Sequence, residues 1–497
     1  MVETEIPAKK PKIEENIYNK DNSPVRVLQK AKIEQPSKDC PFLATIDRSI
    51  LDFDFEKLCS VSLSHINIYA CLVCGKYFQG RGAGSYAYTH SLDEDHRVFL
   101  NLTTLKFYCL PDNYEIIDPS LEDIKYVLEP TFDDKLIKDI DDGKKIFRTL
   151  NGKSYYPGIV GLNNIKCNDY FNVILHALSH LPAIRNYFLK PENYMNNIKS
   201  SSDKMHILAP RFGEAIRKLW NPRAFKSHVS PHQLLQAVVI CSDKKFQIIK
   251  QSDAFEFLSF FLNALHVSLN GTNKSNSSII FKTFRGKMKE YSKKVTDSSN
   301  TDTSDNEVKV KEMPFLCLPL ELPPAPLYRD ELLNNIIPQV PLSQLLQKYN
   351  GIQEKEYKTY KENFIKRFEL IQLPEYLIVT YKRFQKNQFY VEKNPTIINF
   401  PISNVDFYDC LSKEAKIKHK YTTYDLLCNI VHDGKPDSGT YRIQLLHKAT
   451  KKWFELEDMH VKEILAQSIP LTESYIQIWK LNRKKTRTER LGETSRD

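Results

Sequence analysis

The sequence predicts an α+β protein in which a small Cys/His-rich module precedes one large mixed domain. Three observations carry this. Five of the ten cysteines (Cys40, Cys59, Cys71, Cys74 and Cys109) crowd between positions 40 and 109. Beyond them, segments with a helical apolar period come first and runs of β-branched and aromatic residues come later. At 497 residues the chain is long enough for about three domains.

Residues 1–39 mix charge with proline and have no apolar period, which predicts a disordered tail. Within it, Lys9-Lys10-Pro11-Lys12 is a basic cluster of nuclear-import type. Residues 40–130 form the Cys/His module and residues 155–480 the large domain. There, Phe171, Ile174, Leu175 and Leu178 recur at three- and four-residue spacing and predict a helix over Tyr170–Leu181; a second is predicted over Ala254–Leu265. Strands are predicted at Glu375–Phe384, Tyr421–Val431, Thr440–His447 and Tyr475–Trp479. The polar stretches Asn270–Ser278 and Thr296–Glu307 read as solvated insertions. Residues 481–497 form a basic tail.

Composition excludes several classes. Hydrophobic residues at 41% and charged residues at 27% are a globular mixture, and 15 Gly with 26 Pro are too few for a collagen-like or wholly disordered chain. No apolar run approaches the roughly 18 residues of a membrane span; the stretch Phe257–Val267 is broken by Ser259 and Asn263. The start, Met-Val-Glu-Thr-Glu, lacks the apolar core of a secretory signal. A soluble intracellular protein is expected. The net charge of +10 is spread along the chain, densest in the tail at Arg483, Lys484, Lys485, Arg487 and Arg490, which argues against a dedicated nucleic-acid binder.

Cys71-Leu-Val-Cys74, His90 and His96 form a C-x2-C-x15-H-x5-H spacing. Two thiolates on a tight knuckle and two imidazoles complete a closed tetrahedral zinc site, with Gly75 suited to the turn; the alternative is a reduced pair in a small core. Cys40, Cys59 and Cys109 are candidates for a second site that needs one more ligand. The module resembles the zinc finger of ubiquitin proteases on Tyr69-Ala-Cys-Leu-Val-Cys-Gly75, Gly80-Arg81 and Tyr86-Ala87…His90. In that family some members hold the free C-terminal tail of ubiquitin here. Two family cysteines are replaced, by Ser62 and Gln79, which predicts one structural zinc and argues against tail binding; Arg81 alone is left as a carboxylate clamp.

In the large domain, Gly161-Leu-Asn-Asn164-Ile-Lys-Cys167-Asn-Asp169-Tyr-Phe-Asn172 resembles the cysteine box of ubiquitin-specific proteases. Gln251-Ser-Asp253-Ala-Phe-Glu256-Phe257-Leu, His432-Asp-Gly434…Gly439-Thr440-Tyr441 and Trp453…Glu457-Asp458 resemble their three later motifs. The resemblance implies a papain-like thumb, palm and fingers. It also places Asp169 at the nucleophilic cysteine, Thr440 at the histidine base, Glu457 at the acidic orienter and Asn164 at the oxyanion-side asparagine. A carboxylate is a poor nucleophile toward an amide, and a threonine hydroxyl accepts no proton near neutral pH. Asp169 reads instead as a helix N-cap. A shifted Cys167–His432 dyad is disfavoured by the misplacement it entails, and His176 and His180, metal-capable at i,i+4, have no third ligand. Many members hold their fingers with two cysteine pairs on a zinc; between Phe281 and Phe368 only Cys317 occurs, so no such zinc can form.

Gly-Leu-Asn-Asn-Ile-Lys-x-Asn-Asp-Tyr and Gly-x-Tyr-Arg-Ile resemble the inactive, splicing-associated branch of the family. That implies a nuclear, non-catalytic component of the U4/U6·U5 tri-snRNP acting in pre-mRNA splicing, in contact with tri-snRNP proteins and with small nuclear RNA. A ubiquitin- or ubiquitin-like-binding pseudoprotease is the alternative, and an active deubiquitinase is argued against by Asp169 and Thr440.

Overall fold

The computed structural model describes residues 39–143, 146–295, 308–324, 337–358, 363–386, 390–436 and 438–484. The cluster Lys9–Lys12, the insertion 296–307 and the tail residues Lys485, Arg487 and Arg490 lie outside the described residues.

The N-terminal module is an antiparallel sheet of Ile68–Cys71 (β1), Tyr77–Gln79 (β2), Val98–Asn101 (β3), Phe107–Cys109 (β4) and Tyr114–Ile116 (β5), in spatial order β2-β1-β3-β4-β5. Every residue of β1 and β3 is buried because the sheet is covered on both sides. Ile68, Ala70, Val98 and Leu100 enter one apolar cluster, whereas Tyr69, Cys71 and Phe99 enter another, following the two-residue period of a strand. Helix α1 (Tyr86–Asp93) sits between β2 and β3, and α2 (Glu122–Leu128) and α3 (Asp134–Asp142) lead into the large domain. Helix α3 is capped by Asp133 and ends on Gly143 at φ +62°, where a Cβ would lie 2.6 Å from that of Ala449.

The large domain begins with α4 (Asp169–Ser179), α5 (Pro182–Leu189), α6 (Leu208–Leu219), α7 (His232–Cys241), α8 (Ala254–Ser268) and α9 (Ile279–Phe284). The predicted helix over Tyr170–Leu181 is α4; it stops at Ser179 because Pro182 starts a new helix. Strands follow: Gly286–Val295 (β6), Lys309–Phe315 (β7), Cys317–Glu321 (β8), Lys355–Lys358 (β9), Asn363–Gln372 (β10), Tyr376–Lys382 (β11), Thr423–Asp433 (β12), Thr440–His447 (β13), Lys452–Glu457 (β14), His460–Ile464 (β15) and Ser474–Leu481 (β16). All four predicted strands are present, and β13 has the predicted bounds.

The central sheet runs β8-β11-β16-β12-β13-β14-β15, with the short Val405–Asp406 strand also on β12. Tyr376 and Ile378 face the helical side, where Tyr376 meets Phe284 of α9, while Leu377, Val379 and Tyr381 join Leu342, Leu346 and Tyr349 in the cluster on the other side. In β12 a register shift between Leu426 and Cys428 changes this parity, so Tyr424 and Leu426 join the second cluster and Cys428 and Ile430 the first. A separate antiparallel sheet, β7-β6-β10-β9, forms the fingers.

The two regions are joined by a buried ion cluster. Lys218 of α6 donates to the Phe53 carbonyl at 2.8 Å and pairs with Asp54 at 3.3 Å and Glu214 at 3.2 Å, while Phe225 packs into the module's own core. No helix among the described residues is long and apolar enough to cross a membrane.

Candidate functional site

Cys71 ends β1, Cys74 lies on the following turn, His90 is on α1 and His96 precedes β3. Gly75 closes that turn at φ +73°. The four donor atoms all lie within 4.8 Å of one another. Cys74 Sγ is 3.4 Å from His90 Nε2, which is 3.1 Å from His96 Nδ1. Zinc bonds of about 2.3 Å to sulfur and 2.0–2.1 Å to nitrogen set tetrahedral edges of about 3.3–3.8 Å, so the donor set fits zinc. Its electrostatics agree: the Cys71 proton, shared with Cys74, holds the Cys74 thiol down to about 4 and leaves Cys71 pushed up. Stacking on Phe78, at 4.2 Å between ring centroids, orients His90.

Among the described residues this is the one His/Cys/Asp/Glu group with such geometry. Cys40, Cys59 and Cys109 form no common donor set, since Cys59 stands apart from the other two. Cys40 accepts from the Tyr114 hydroxyl at 3.3 Å and neighbours Cys109. Cys59 accepts from the Ser62 N–H at 3.4 Å, and Ser62 Oγ donates to Gln79 Oε1 at 2.9 Å. Ser62 and Gln79 are thus joined by a hydrogen bond beside Cys59. Arg81 lies 4.1 Å over the Tyr108 ring and donates to Asn113.

In the large domain Asp169 is the first residue of α4 and only 4% exposed. The expected N-cap role is corrected: the cap is Asn168, and the Asp169 carboxylate reaches across the fold instead. Its Oδ2 accepts from the Tyr441 N–H at 2.9 Å and from Gln251 Nε2 at 2.7 Å, and Gln251 also donates to the Gly439 carbonyl at 2.9 Å. Oδ1 is buried without a partner. Burial pushes this carboxyl above its ordinary range, opposed by donation from the Tyr441 and Tyr170 N–H groups and Gln251. Asp169 therefore ties α4 to the start of β13 and the loop before α8. Thr440, between Gly439 and Tyr441, is exposed.

Asn164 donates from Nδ2 to Asp458 Oδ2 at 2.8 Å and accepts the Asn168 N–H at 3.1 Å, so both ends of its amide are engaged. Asn172 donates to the other Asp458 oxygen at 2.8 Å. The acid that enters the cluster is thus Asp458, held at φ +50°, and not Glu457, which is exposed at the end of β14. Asp458, Asn172 and Gln251 all lie inside the sequence motifs; only their contacts were beyond reach.

Among the described residues no hydrogen bond joins Cys167 to His432. His432 is wedged between Phe384 and Tyr441, at ring separations of 5.0 and 4.8 Å, and a Cβ on Gly439 would lie 2.4 Å from its Nε2. Burial, with Lys393 nearby, pushes its imidazole down to about 4. His176 is buried in α4 and His180, half-buried, caps its C-terminus; burial alone takes His176 to about 3, and the two rings join no third ligand among the described residues. Beside Asp169 opens a cavity of about 640 Å³ lined by Gln251, Asp253, Phe384, His432 and Tyr441.

Residues 160–479 match the family described as ubiquitin carboxyl-terminal hydrolase, and residues 59–121 match the Zn-finger in ubiquitin-hydrolases and other proteins. The chain belongs to the ubiquitin carboxyl-terminal hydrolase family. The zinc-finger match includes all four candidate ligands and leaves Cys40 outside. A human member, ubiquitin carboxyl-terminal hydrolase 39, is 59% identical over 455 residues, covering 90% of this chain and 80% of that protein. A Schizosaccharomyces pombe member, probable mRNA-splicing protein ubp10, is 43% identical and covers 88% of each. A crystal structure of an essential yeast splicing factor is 30% identical, with a TM-score of 0.70, over 89% of this chain and 100% of that one. The hydrolase-family fold and the finger expected from the sequence are both present.

Proposed function

We propose that this chain is a non-catalytic scaffold of the spliceosomal U4/U6·U5 tri-snRNP, acting in the nucleus in pre-mRNA splicing and snRNP assembly. The names of its relatives support splicing, and one observation supports the absence of catalysis. At the position the resemblance gives to the nucleophile, Asp169 is consumed as a bridge between α4, Tyr441 and Gln251. The base position holds Thr440, whose hydroxyl is no proton acceptor near neutral pH. Losing one member of such a triad in a serine protease costs on the order of 10⁴–10⁶ in rate. The finger holds one structural zinc on Cys71, Cys74, His90 and His96, with no ligand position left for a substrate. Its partners are tri-snRNP proteins and small nuclear RNA.

Purified chain incubated with a ubiquitin C-terminal fluorophore conjugate is expected to show no turnover. Turnover abolished by mutating a single cysteine would overturn the reading. Affinity purification from nuclear extract is expected to recover snRNP proteins and small nuclear RNA. A second reading, a pseudoprotease that binds ubiquitin or a ubiquitin-like protein, is favoured by the open 640 Å³ cavity beside Asp169. It requires saturable binding in titration, and no binding at millimolar ubiquitin eliminates it.

A further inference from the structure

The charge that the sequence spreads along the chain is gathered in space by the finger sheet. Among its described side chains are nine lysines and arginines against four glutamates, a net +5 out of the whole chain's +10. The register divides that charge unevenly, since directly opposed residues in antiparallel strands share a face. Lys309, Lys311, Lys355, Lys366 and Lys294 stand on one face with a single acid, Glu290. On the other, Lys287, Lys289, Lys293 and Arg367 are offset by Glu312, Glu356 and Glu369.

The basic face also carries rings. Tyr357, Phe364 and Phe368 lie on it, all half-buried, and the Lys366 ammonium sits 5.8 Å over Tyr357. At its base the face opens into a cavity of about 420 Å³ lined by Lys348, Lys355, Lys366, Phe368 and Glu321. There one carboxylate serves three ammonium groups: Glu321 pairs with Lys348 at 3.3 Å, Lys382 at 3.1 Å and Lys355. Burial and the Lys382 charge push the Lys348 ammonium down to about 8, an environment that an incoming anion would relieve. Lys309 and Lys311 are exposed and make no ion pair among the described residues.

We propose that this face of the finger sheet binds a single-stranded RNA segment, with phosphates on Lys309, Lys311, Lys355 and Lys366 and bases against Tyr357, Phe364 and Phe368. The excess positive charge calls for a polyanion. The rings favour a nucleic acid over an acidic peptide, because every base offers a π-face to stack on an aromatic side chain and a carboxylate does not. The choice of RNA rests on the splicing role proposed above; the charge and ring pattern does not.

The test is fluorescence anisotropy of a labelled oligouridine with the full chain, between about 50 and 200 mM salt, where phosphate contacts weaken steeply. Lys309→Glu with Lys311→Glu is expected to weaken binding at least tenfold, and to reduce the salt slope by about 1.4 for two lost single-strand phosphate contacts. Lys287→Glu with Lys293→Glu, on the opposite face, is expected to leave affinity within twofold. Unchanged melting curves confirm folding, and Lys309→Gln with Lys311→Gln serves if the reversals unfold. Absence of binding, equal losses from the two faces, or polyglutamate competing as well as oligouridine would each overturn the proposal. None of these touches the scaffold reading, which fails separately through ubiquitin turnover or through absence of snRNP components in purification.

Discussion

In the finger, Cys71, Cys74, His90 and His96 point their donors at one another. In the large domain, Asp169 turns its carboxylate onto the chain's own Tyr441 N–H and Gln251 amide. Each region matches a ubiquitin-hydrolase family model, yet one keeps its polar donors converged and the other binds its carboxylate internally. The Cys59–Ser62–Gln79 contact repeats the second pattern inside the finger itself. In both places an unpaired buried polar group would cost about 1–3 kcal/mol; Ser62, Gln79 and the Asp169 Oδ2 are engaged locally, and only the Asp169 Oδ1 is left without a partner. On the non-catalytic reading proposed above, fold and chemistry are separable: the four motifs of the large domain persist as packing and capping. Asp253 shows this, capping α8 through Phe255 and Glu256 N–H groups at 2.9 and 2.8 Å and accepting the Tyr475 hydroxyl at 2.6 Å.

The largest expected effect separates the two regions outright. Chelation should unfold the finger, since structural zinc contributes on the order of 10 kcal/mol to such modules. Hydrogen exchange should show residues 59–121 losing protection while the central sheet keeps it; a finger unmoved by chelation would contradict a structural metal. Next, Asp169→Ala leaves the buried Tyr441 N–H without its acceptor and Gln251 with the Gly439 carbonyl alone, and should lower stability by about 1–3 kcal/mol in urea unfolding. A loss below about 0.5 kcal/mol would mean the bridge is incidental.

Acid sharpens the same contrast. Burial holds His176 at about 3, and His432 and His447 at about 4, below the unfolded value of about 6.5. The folded state thus binds fewer protons than the unfolded chain. The stability from each is present above about pH 6.5 and is lost at about 1.4 kcal/mol per pH unit as pH falls toward the folded value. Asp169, raised by burial, acts with the opposite sign, its contribution being lost as pH rises. Three histidines outweigh one carboxyl, so the urea midpoint should fall between about pH 6.5 and 4.5, and His176→Leu should flatten that fall. A pH-independent midpoint would contradict it. The smallest effect is expected of Ser62→Ala, about 1 kcal/mol in thermal melting with zinc content unchanged. A change in metal stoichiometry would show that this contact serves the metal after all.

Most of the fold was legible because β-branched runs and helical apolar spacing report local burial, and β13 was predicted to the residue. The metal ligands were legible because their spacing is local. What sequence could not show is set by contacts between distant segments. Asp169 and Tyr441 are 272 positions apart, so the first-turn carboxylate looked like a cap. Glu457 and Asp458 are adjacent, and only the left-handed backbone at Asp458 decides which one turns inward. The finger charge was invisible for the same reason: strand register, not composition, sorts lysines onto one face.

The separation of fold from chemistry is tested most directly by reacting the purified chain with ubiquitin carrying a C-terminal electrophile and reading the product by mass spectrometry. The expected result is unmodified protein at every cysteine; a covalent adduct on Cys167, or on any other thiol of the cleft, would contradict it.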